Sequence, residues 1–224
     1  VTMSYNFVFT GNPGTGKTTV ARILGKAFRA LGVLDRGNFV ETDRSGLVAK
    51  YEGQTAHKTN KLIDSAMGGV LFIDEAYSLY RGKDDAFGLE AIDTLVKGME
   101  DNRDNLIVIL AGYSKEMQQF LTANSGLKSR FPNIIDFPDY TAEELLAISH
   151  LTAKSKGYVI DKGAEEALLE FYAKVQATRP MDAGNGRLVR NKIEEAILNQ
   201  SRRLVAEKDA DMSLLVLMDF ELSE

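Results

Sequence analysis

The fold of this chain is decided by the stretch Gly11-Asn12-Pro13-Gly14-Thr15-Gly16-Lys17-Thr18. It fits the pattern G-x-x-x-x-G-K-[ST], whose glycines allow successive backbone N–H groups to turn inward around phosphate oxygens. The apolar run 5–9 directly before it is typical of a β-strand, and residues 19–30 after it carry apolar side chains at helical spacing. Matches to so loose a pattern seldom fall between a strand and a helix. The stretch is therefore interpreted as a phosphate-binding loop at a helix N-terminus, which favours bound anions.

The pattern assigns a role to each part of this loop. Lys17 is expected to reach the β- and γ-phosphate oxygens, where it would neutralise charge during phosphoryl transfer. The Thr18 hydroxyl is the expected protein ligand for Mg²⁺. The residues expected to contact the nucleotide are Asn12, Pro13, Gly14, Thr15, Gly16, Lys17, Thr18 and Thr19.

Length and composition limit the class of protein. With 224 residues, 44% of them hydrophobic, the chain can bury one large core or divide into a main domain and a smaller one. A net charge of −5 argues against a general affinity for nucleic acid, which draws on clustered Lys and Arg. The absence of cysteine excludes disulfides and thiol catalysis and fits a cytoplasmic location. No apolar stretch approaches the roughly 20 residues that span a bilayer, so we expect no membrane segment.

Strand-like and helix-like segments alternate in the first part of the chain. The strand-like runs are 7–9, 38–42, 70–73, 106–111 and 134–137. This alternation predicts a parallel, doubly wound α/β sheet with helices on both faces. The runs 70–73 and 106–110 are continuously apolar, as in strands that are buried on both faces, and are expected to flank or neighbour the strand before the loop.

After Pro138 the pattern becomes helical. Thr141 and Glu144 form a capping box that predicts a helix to about residue 156, and further helices are predicted over 161–178 and 187–207. No convincing strand is predicted before the apolar run 214–218, which is typical of a short packed strand or a helix cap. We therefore expect a nucleotide-binding α/β domain over 1–138 and a helical lid domain over 139–224. Because the chain opens almost inside its first strand, we expect the N-terminal part of the first domain to be missing.

Two carboxylates, Asp74 and Glu75, follow the buried strand 70–73. The carboxyl ends of parallel strands share one edge of the sheet, so both side chains should face the phosphate loop. Asp74 is expected to hold Mg²⁺ near Thr18, and Glu75 is expected to orient and deprotonate the attacking water. The phosphate-binding loop and this pair of carboxylates together predict hydrolysis of a nucleoside triphosphate.

The base is predicted to be adenine. The run 43–46 has the D-x-x-G form of a guanine-nucleotide switch loop, but the base-reading sequence Asn-Lys-x-Asp is absent. Asn60-Lys61 and Asn191-Lys192 are followed two positions later by Ile63 and Glu194. ATP is therefore favoured over GTP.

Beyond these motifs, the chain resembles the AAA+ ATPases over nearly its whole length. The segments that carry the resemblance are Gly11–Thr19, Lys50–Gly53, Gly68–Tyr77, Ala111–Tyr113, Ser129–Phe131 and Gly184–Asn191. Within this superfamily the runs 68–77, 109–113 and 137–140 resemble the branch that contains stage V sporulation protein K and the red-type Rubisco activases. The resemblance implies a chaperone-like ATPase that remodels a protein substrate as a ring, by analogy a hexamer.

The resemblance also implies roles for residues outside the two motifs. Arg130 matches the arginine finger that acts in the neighbouring subunit's site. Arg187 matches the second sensor, which touches the γ-phosphate from the lid, with Arg190 as the competing candidate. Tyr51 matches the aromatic residue of a pore loop that grips substrate polypeptide.

The first sensor departs from the usual pattern of the superfamily. An Asn or another small polar residue is usual at the end of the fourth strand, whereas Gly112-Tyr113-Ser114 stands there. Tyr113 and Ser114 both remain candidates.

Three other functions stay open at this point. The client could resemble that of a Rubisco activase, or the chain could be a nucleic-acid motor. The third alternative is a scaffold that binds ATP with little turnover.

Overall fold

The computed structural model describes residues 5–178 and 184–223. The strands are β1 (Phe7–Gly11), β2 (Phe39–Thr42), β3 (Val70–Ile73), β4 (Ile107–Gly112), β5 (Asn133–Phe137), β6 (Val159–Ile160) and β7 (Leu214–Leu215). The helices are α1 (Lys17–Ala30), α2 (Arg44–Leu47), α3 (Thr55–Ala66), α4 (Ala86–Asp101), α5 (Ser114–Ala123), α6 (Ser125–Arg130), α7 (Ala142–Ser155), α8 (Lys162–Thr178) and α9 (Gly186–Ala206). Short 3₁₀ turns cover Ala76–Leu79 and Leu217–Asp219.

The main sheet is parallel, with strand order β2-β3-β4-β1-β5. The strand before the phosphate loop, β1, therefore lies between β4 and β5. β4 neighbours β1 as expected from the sequence, whereas β3 is one strand further away. Because all of these strands run in the same direction, their carboxyl ends meet at one edge, where Gly11 ends β1 and where Asp74 and Tyr113 follow β3 and β4.

Helices pack on both faces of this sheet, which confirms the doubly wound α/β class. One core cluster contains Leu71, Ile73, Val108 and Leu110, and a second contains residues of the opposite pleat, such as Phe72. Neighbouring residues of a strand point to opposite faces, so an all-apolar strand needs a core on each side. The edge strand β5 has no such cover, and its Ile134 is 57% exposed.

The helical part after Pro138 forms around its own core. Thr141 and Glu144 make the reciprocal hydrogen bonds of a capping box at the start of α7, as the sequence predicts. α7, α8 and α9 bury Leu145, Tyr172 and Ile193 completely. The prediction that no strand precedes the end of the chain is wrong: β6 pairs in parallel with β7. A two-residue strand gives too short a pattern to be predicted without its distant partner.

The described chain divides into two compact units. The first contains residues 1–11 and 16–137, and the second contains residues 138–224 together with Asn12–Thr15. The tip of the phosphate loop therefore clusters with the helical unit, although β1 before it and α1 after it belong to the sheet unit.

Candidate functional site

The phosphate loop needs glycine at defined positions. Gly11, Gly14 and Gly16 have φ values of 146°, 74° and 97°, a region that side chains rarely allow. A Cβ on Gly11 would lie 2.3 Å from the carbonyl oxygen of Phe137, and one on Gly14 would lie 2.2 Å from that of Gly184. The loop can therefore keep this course only without side chains at these sites.

The carbonyl groups of the loop tip all accept hydrogen bonds. The donors are Thr15 Oγ1 to Asn12 O (2.8 Å), Asn185 Nδ2 to Pro13 O (3.3 Å), Gly186 N to Gly14 O (2.8 Å) and Tyr140 OH to Thr15 O (3.0 Å). Carbonyl groups that are held on one side of a loop turn its peptide N–H groups toward the other side, the arrangement that binds anions in such loops.

The first turn of α1 carries Lys17 and Thr18. Gly16 precedes it as the N-cap with a left-handed backbone and without a side-chain cap, so the orphan N–H groups of the helix start are not used by a cap. Lys17 Nζ donates to Gly11 O at 2.7 Å, which keeps the ammonium group beside the loop. Thr19 is exposed.

Asp74 and Glu75 leave the carboxyl end of β3 in a tight turn. The N–H of Asp74 donates to Thr42 O at 2.8 Å, and Asp74 Oδ1 accepts from the N–H of Glu75 at 2.9 Å. Glu75 adopts a left-handed backbone, φ 48° and ψ 46°, which is uncommon for a residue with a side chain. Ser78 fixes this turn through its N–H and hydroxyl, which both donate to Glu75 O at 2.9 and 2.7 Å.

The Glu75 side chain is exposed and lines an open cavity. This cavity of about 480 Å³ lies at the ends of β2 and β3 and is also lined by Asp43 and Asp74. The Ser45 hydroxyl lowers the pKa of the Asp43 carboxyl group through a hydrogen bond. A glutamate in such a place can reach a water molecule, as a general base must.

Thr18 and Asp74 carry the oxygen donors that Mg²⁺ prefers. Thr18 supplies a hydroxyl and Asp74 a carboxylate, and Mg²⁺ is usually bound by one or two such groups together with substrate phosphates and water. Within the described residues, no cluster of three or more acidic, histidine or cysteine side chains could hold a metal. The donor set therefore fits a metal that arrives with the nucleotide, whose chemistry would be to neutralise phosphate charge.

A polar cluster that the sequence did not predict lies at the ends of β1, β4 and β5. Asp136 Oδ1 accepts from the Thr10 hydroxyl at 2.9 Å and from the Ser114 hydroxyl at 3.2 Å. Tyr113 instead lies near Tyr77, with ring centroids 6.4 Å apart. Ser114 is a sensor candidate from the sequence, whereas Thr10 and Asp136 are single polar residues within largely apolar runs, a signal too weak to assign a role.

Arg130 ends α6 and contacts its own chain. Its Nε donates to Glu100 Oε1 at 2.9 Å, its Nη2 contacts the same oxygen, and its Nη1 donates to Gly126 O at 2.7 Å. The side chain of Arg130 is 32% exposed and that of Glu100 is 53% exposed. The role of Arg130 as an arginine finger stays a prediction.

Arg187 and Arg190 lie in the first turns of α9, and both are exposed. Gly186, directly before Arg187, donates its N–H to Gly14 O, so Arg187 follows the residue that touches the phosphate loop. Arg190 lies almost one turn further along the helix. Sequence reasoning did not single out Asn185, although its position between two glycines signals an unusual backbone.

Tyr51 lies in the loop 48–54 between α2 and α3, and the residue is 70% exposed. The base of this loop is held by α3: Thr59 Oγ1 donates to Leu47 O at 2.8 Å, and Thr55 Oγ1 accepts from the N–H of Ala49 at 3.2 Å. Tyr51 therefore does not anchor the loop to the core.

A model of the ATPase family associated with various cellular activities (AAA) matches residues 7–139. The chain belongs to this AAA ATPase family. A second model, the AAA lid domain, matches residues 141–224. The resemblance to this superfamily that the sequence predicts is therefore confirmed.

Comparison with curated proteins shows which members of the family the chain is similar to. It is 51% identical over 201 residues to stage V sporulation protein K of Bacillus subtilis, covering 89% of this chain and 62% of that protein. It is 45% identical over 213 residues to the ESX-3 secretion system protein EccA3 of Mycobacterium tuberculosis, covering 90% of this chain and 34% of that protein. The chain thus spans less than two thirds of the length of these relatives.

Solved AAA structures share its fold. The FIGL-1 AAA domain in complex with ADP matches with a TM-score of 0.65 at 19% identity, over 97% of this chain and 70% of that one. A mutant of Thermotoga maritima RuvB matches with a TM-score of 0.64 at 23% identity, over 96% and 60% of the two chains. At these sequence identities, the two structures support a shared fold and nothing more. Among the helices of residues 5–178 and 184–223, none combines the length and apolar character that crossing a membrane requires.

Proposed function

We propose that this AAA ATPase is a Mg²⁺-dependent machine that assembles into a ring, by analogy a hexamer, and remodels a protein substrate. Water would attack the γ-phosphate in line, with Glu75 as the base that takes its proton. Lys17 would hold phosphate oxygens, and Thr18 and Asp74 would hold the metal. Protein remodelling is supported above all by Tyr51, an exposed aromatic ring on a loop with a fixed base.

Several hydrogen bonds with α3 hold the base of the loop that carries Tyr51. α3 holds its first part through the buried side chains of Thr55 and Thr59, and Lys58 Nζ donates to Ser45 O and Val48 O. An aromatic side chain can pack on the backbone and side chains of almost any sequence. A rigid base with an exposed ring suits a grip on unfolded polypeptide.

The same loop is connected to the turn of Glu75. Arg44, the first residue of α2, donates to Ser78 O at 2.9 Å and binds both oxygens of Asp85. Ser78 in turn holds the carbonyl group of Glu75. A change at the hydrolytic site can thus reach the base of the Tyr51 loop through a short series of hydrogen bonds.

Ring assembly is proposed from the sequence role of Arg130. A guanidinium group supplied by the neighbouring subunit stabilises charge on the transferring phosphoryl group. Arg187 is proposed to report the γ-phosphate to the lid. A cytoplasmic location and a protein client accord with this function and stay proposals as well.

The test is steady-state ATP hydrolysis per subunit as protein concentration rises, with and without fluorescein-labelled unfolded casein. We expect a cooperative rise that Arg130→Ala removes, and a stimulation by casein that Tyr51→Ala removes and Tyr51→Phe retains. Tyr158→Phe, a change at a half-buried lid tyrosine, is the matched control. A rate per subunit that is independent of concentration would contradict the ring, and equal stimulation of Tyr51→Ala and wild type would contradict the grip.

A further inference from the structure

Asn185 is a fully buried side chain whose hydrogen-bonding groups are all used. Its Nδ2 donates to Pro13 O at 3.3 Å and to Asp139 Oδ1 at 3.0 Å. Its Oδ1 accepts from the N–H of Tyr140 at 2.9 Å and from Gln176 Nε2 at 3.1 Å. Its residue exposure is 0%. This asparagine therefore joins the phosphate loop to the start of the lid sequence, to α8 and to its own turn before α9.

The backbone of Asn185 is held in an unfavourable conformation. Its φ is 45° and its ψ is −115°, a region that residues other than glycine rarely occupy. Such conformations persist where the surroundings over-determine them, and they cluster at functional sites. A glycine would fit this backbone with less strain.

Neighbouring groups hold the other side of the same loop tip. Asp139 Oδ1 also accepts from Asn12 Nδ2 at 2.9 Å. This one carboxylate oxygen thus accepts hydrogen bonds from the side-chain amides of both Asn12 and Asn185. The Tyr140 hydroxyl donates to Thr15 O, and burial raises the pKa of this hydroxyl, which keeps its proton in place for donation. Gly186 adds a backbone donor to Gly14 O.

We propose that Asn185 and Tyr140 are positioning residues for nucleotide binding: they hold the carbonyl groups of the phosphate-loop tip outward, so that its N–H groups are preset for the phosphates. Neither side chain needs to touch the nucleotide. Binding of phosphates to the loop and the conformation of the turn before α9 are then thermodynamically linked, because both depend on the same hydrogen bonds. This inference concerns nucleotide binding by the folded chain, and it holds whether or not the chain assembles into a ring.

The experiment measures MgADP binding by calorimetry and thermal unfolding without nucleotide. The variants are Tyr140→Phe, which removes one hydroxyl, and Asn185→Gly, which removes the side chain and suits the backbone; neither adds a charge near the phosphates. We expect the Kd for MgADP to rise about threefold for Tyr140→Phe and about tenfold or more for Asn185→Gly. The binding is measured well below the Tm, where all variants are folded.

Two control variants distinguish positioning of the phosphate loop from a general loss of lid stability. Asn199 on α9 donates to Asp219 O at 3.0 Å and to Glu221 Oε1 at 3.2 Å. Like Asn185, it therefore donates to one backbone carbonyl group and one carboxylate, but neither acceptor belongs to the phosphate loop or to Asp139. Asn199→Ala and Tyr158→Phe should leave the Kd for MgADP unchanged even if they lower the Tm. A Kd that is unchanged in Asn185→Gly, or that rises equally in Asn199→Ala, would overturn the proposal.

Discussion

The guanidinium group of Arg130 pairs with the carboxylate of Glu100 in its own chain. Both side chains are partly exposed, and such surface pairs contribute only about 0.2–1 kcal/mol. For Arg130 to act on the nucleotide of a neighbour, it must exchange this carboxylate for phosphate oxygens. Glu100 therefore competes with the proposed target of Arg130.

Glu100→Gln should raise the rate of ATP hydrolysis by about 1.4- to fivefold, because the competing pair costs about 0.2–1 kcal/mol to break. The measurement is kcat at a fixed, high subunit concentration. Asp101→Asn removes an exposed carboxylate next to Glu100 and serves as the control. In the background Arg130→Ala the change at Glu100 should have no effect. A gain that persists without Arg130 would refute this explanation.

Glu75→Gln should abolish turnover and spare binding. Removal of a general base lowers rates by about 10²–10⁴. The Glu75 side chain is exposed, so the fold and the Kd for MgADP should stay close to those of the wild type. Single-turnover hydrolysis and calorimetry separate the two effects. Glu41→Gln changes another glutamate of the same cavity and should leave kcat within about twofold. Equal losses in both variants would mean that cavity charge, and not a base, is what matters.

The pair of Arg44 and Asp85 should stabilise the sheet unit in a pH-dependent way. Its side chains are only 16% and 10% exposed, and the hydrogen bond from Arg44 lowers the pKa of Asp85 from 3.8 to about 2. A carboxyl group whose pKa is lower in the folded protein stabilises the fold at pH values above its unfolded pKa. This contribution is lost as the pH falls through the folded pKa. Asp85→Asn should therefore lower the free energy of unfolding by about 2 kcal/mol at pH 7.

Urea unfolding at pH 7, 5 and 4 measures this contribution. The difference between wild type and Asp85→Asn should be equal at pH 7 and 5 and should begin to shrink near pH 4, because the unfolded carboxyl group then binds protons. Asp84→Asn, at an exposed neighbouring position, should show almost no difference. A difference that is close to zero and does not change with pH would show that Asp85 has an ordinary pKa in the folded protein.

The first sensor can be assigned by two conservative substitutions. Ser114→Ala removes a hydroxyl that is bonded to Asp136, and the loss of one hydrogen bond, about 1 kcal/mol, predicts about a fivefold lower kcat. Tyr113→Phe should have a smaller effect, because the contact of Tyr113 with Tyr77 is made by its ring. Steady-state kinetics with saturating ATP compares them. The reverse order of effects would assign the sensor to Tyr113.

The sequence predicts the parts of this fold whose signals are local. The phosphate loop, the strand that ends before Asp74 and the capping box of Thr141 are each contained in a few consecutive residues, and the structure has them at those positions. Of the strand order, the sequence predicts only that the runs 70–73 and 106–110 lie beside the loop strand, and in the structure only the second of these, β4, does so. By contrast, β6 exists only because it pairs with β7, which lies more than 50 residues later.

The same limit applies to the candidate site. Glu75 and Lys17 follow from motifs, but the polar cluster of Thr10, Ser114 and Asp136 unites three separate strand ends. The bonds of Asn185 span as many as 172 positions of the chain. No local pattern records such contacts, since they depend on side-chain directions that only the folded chain defines.

The interleaved course of the chain has a practical consequence for protein engineering. Replacement of residues 138–224 by the lid of a relative would remove Tyr140 and Asn185 but would leave Asn12–Thr15, the four residues that cluster with this lid, in place. The foreign lid would then meet loop carbonyl groups and an Asn12 amide with which it did not evolve. A functional chimera should therefore be built from two transplanted segments, and the shorter one is the tip of the phosphate loop.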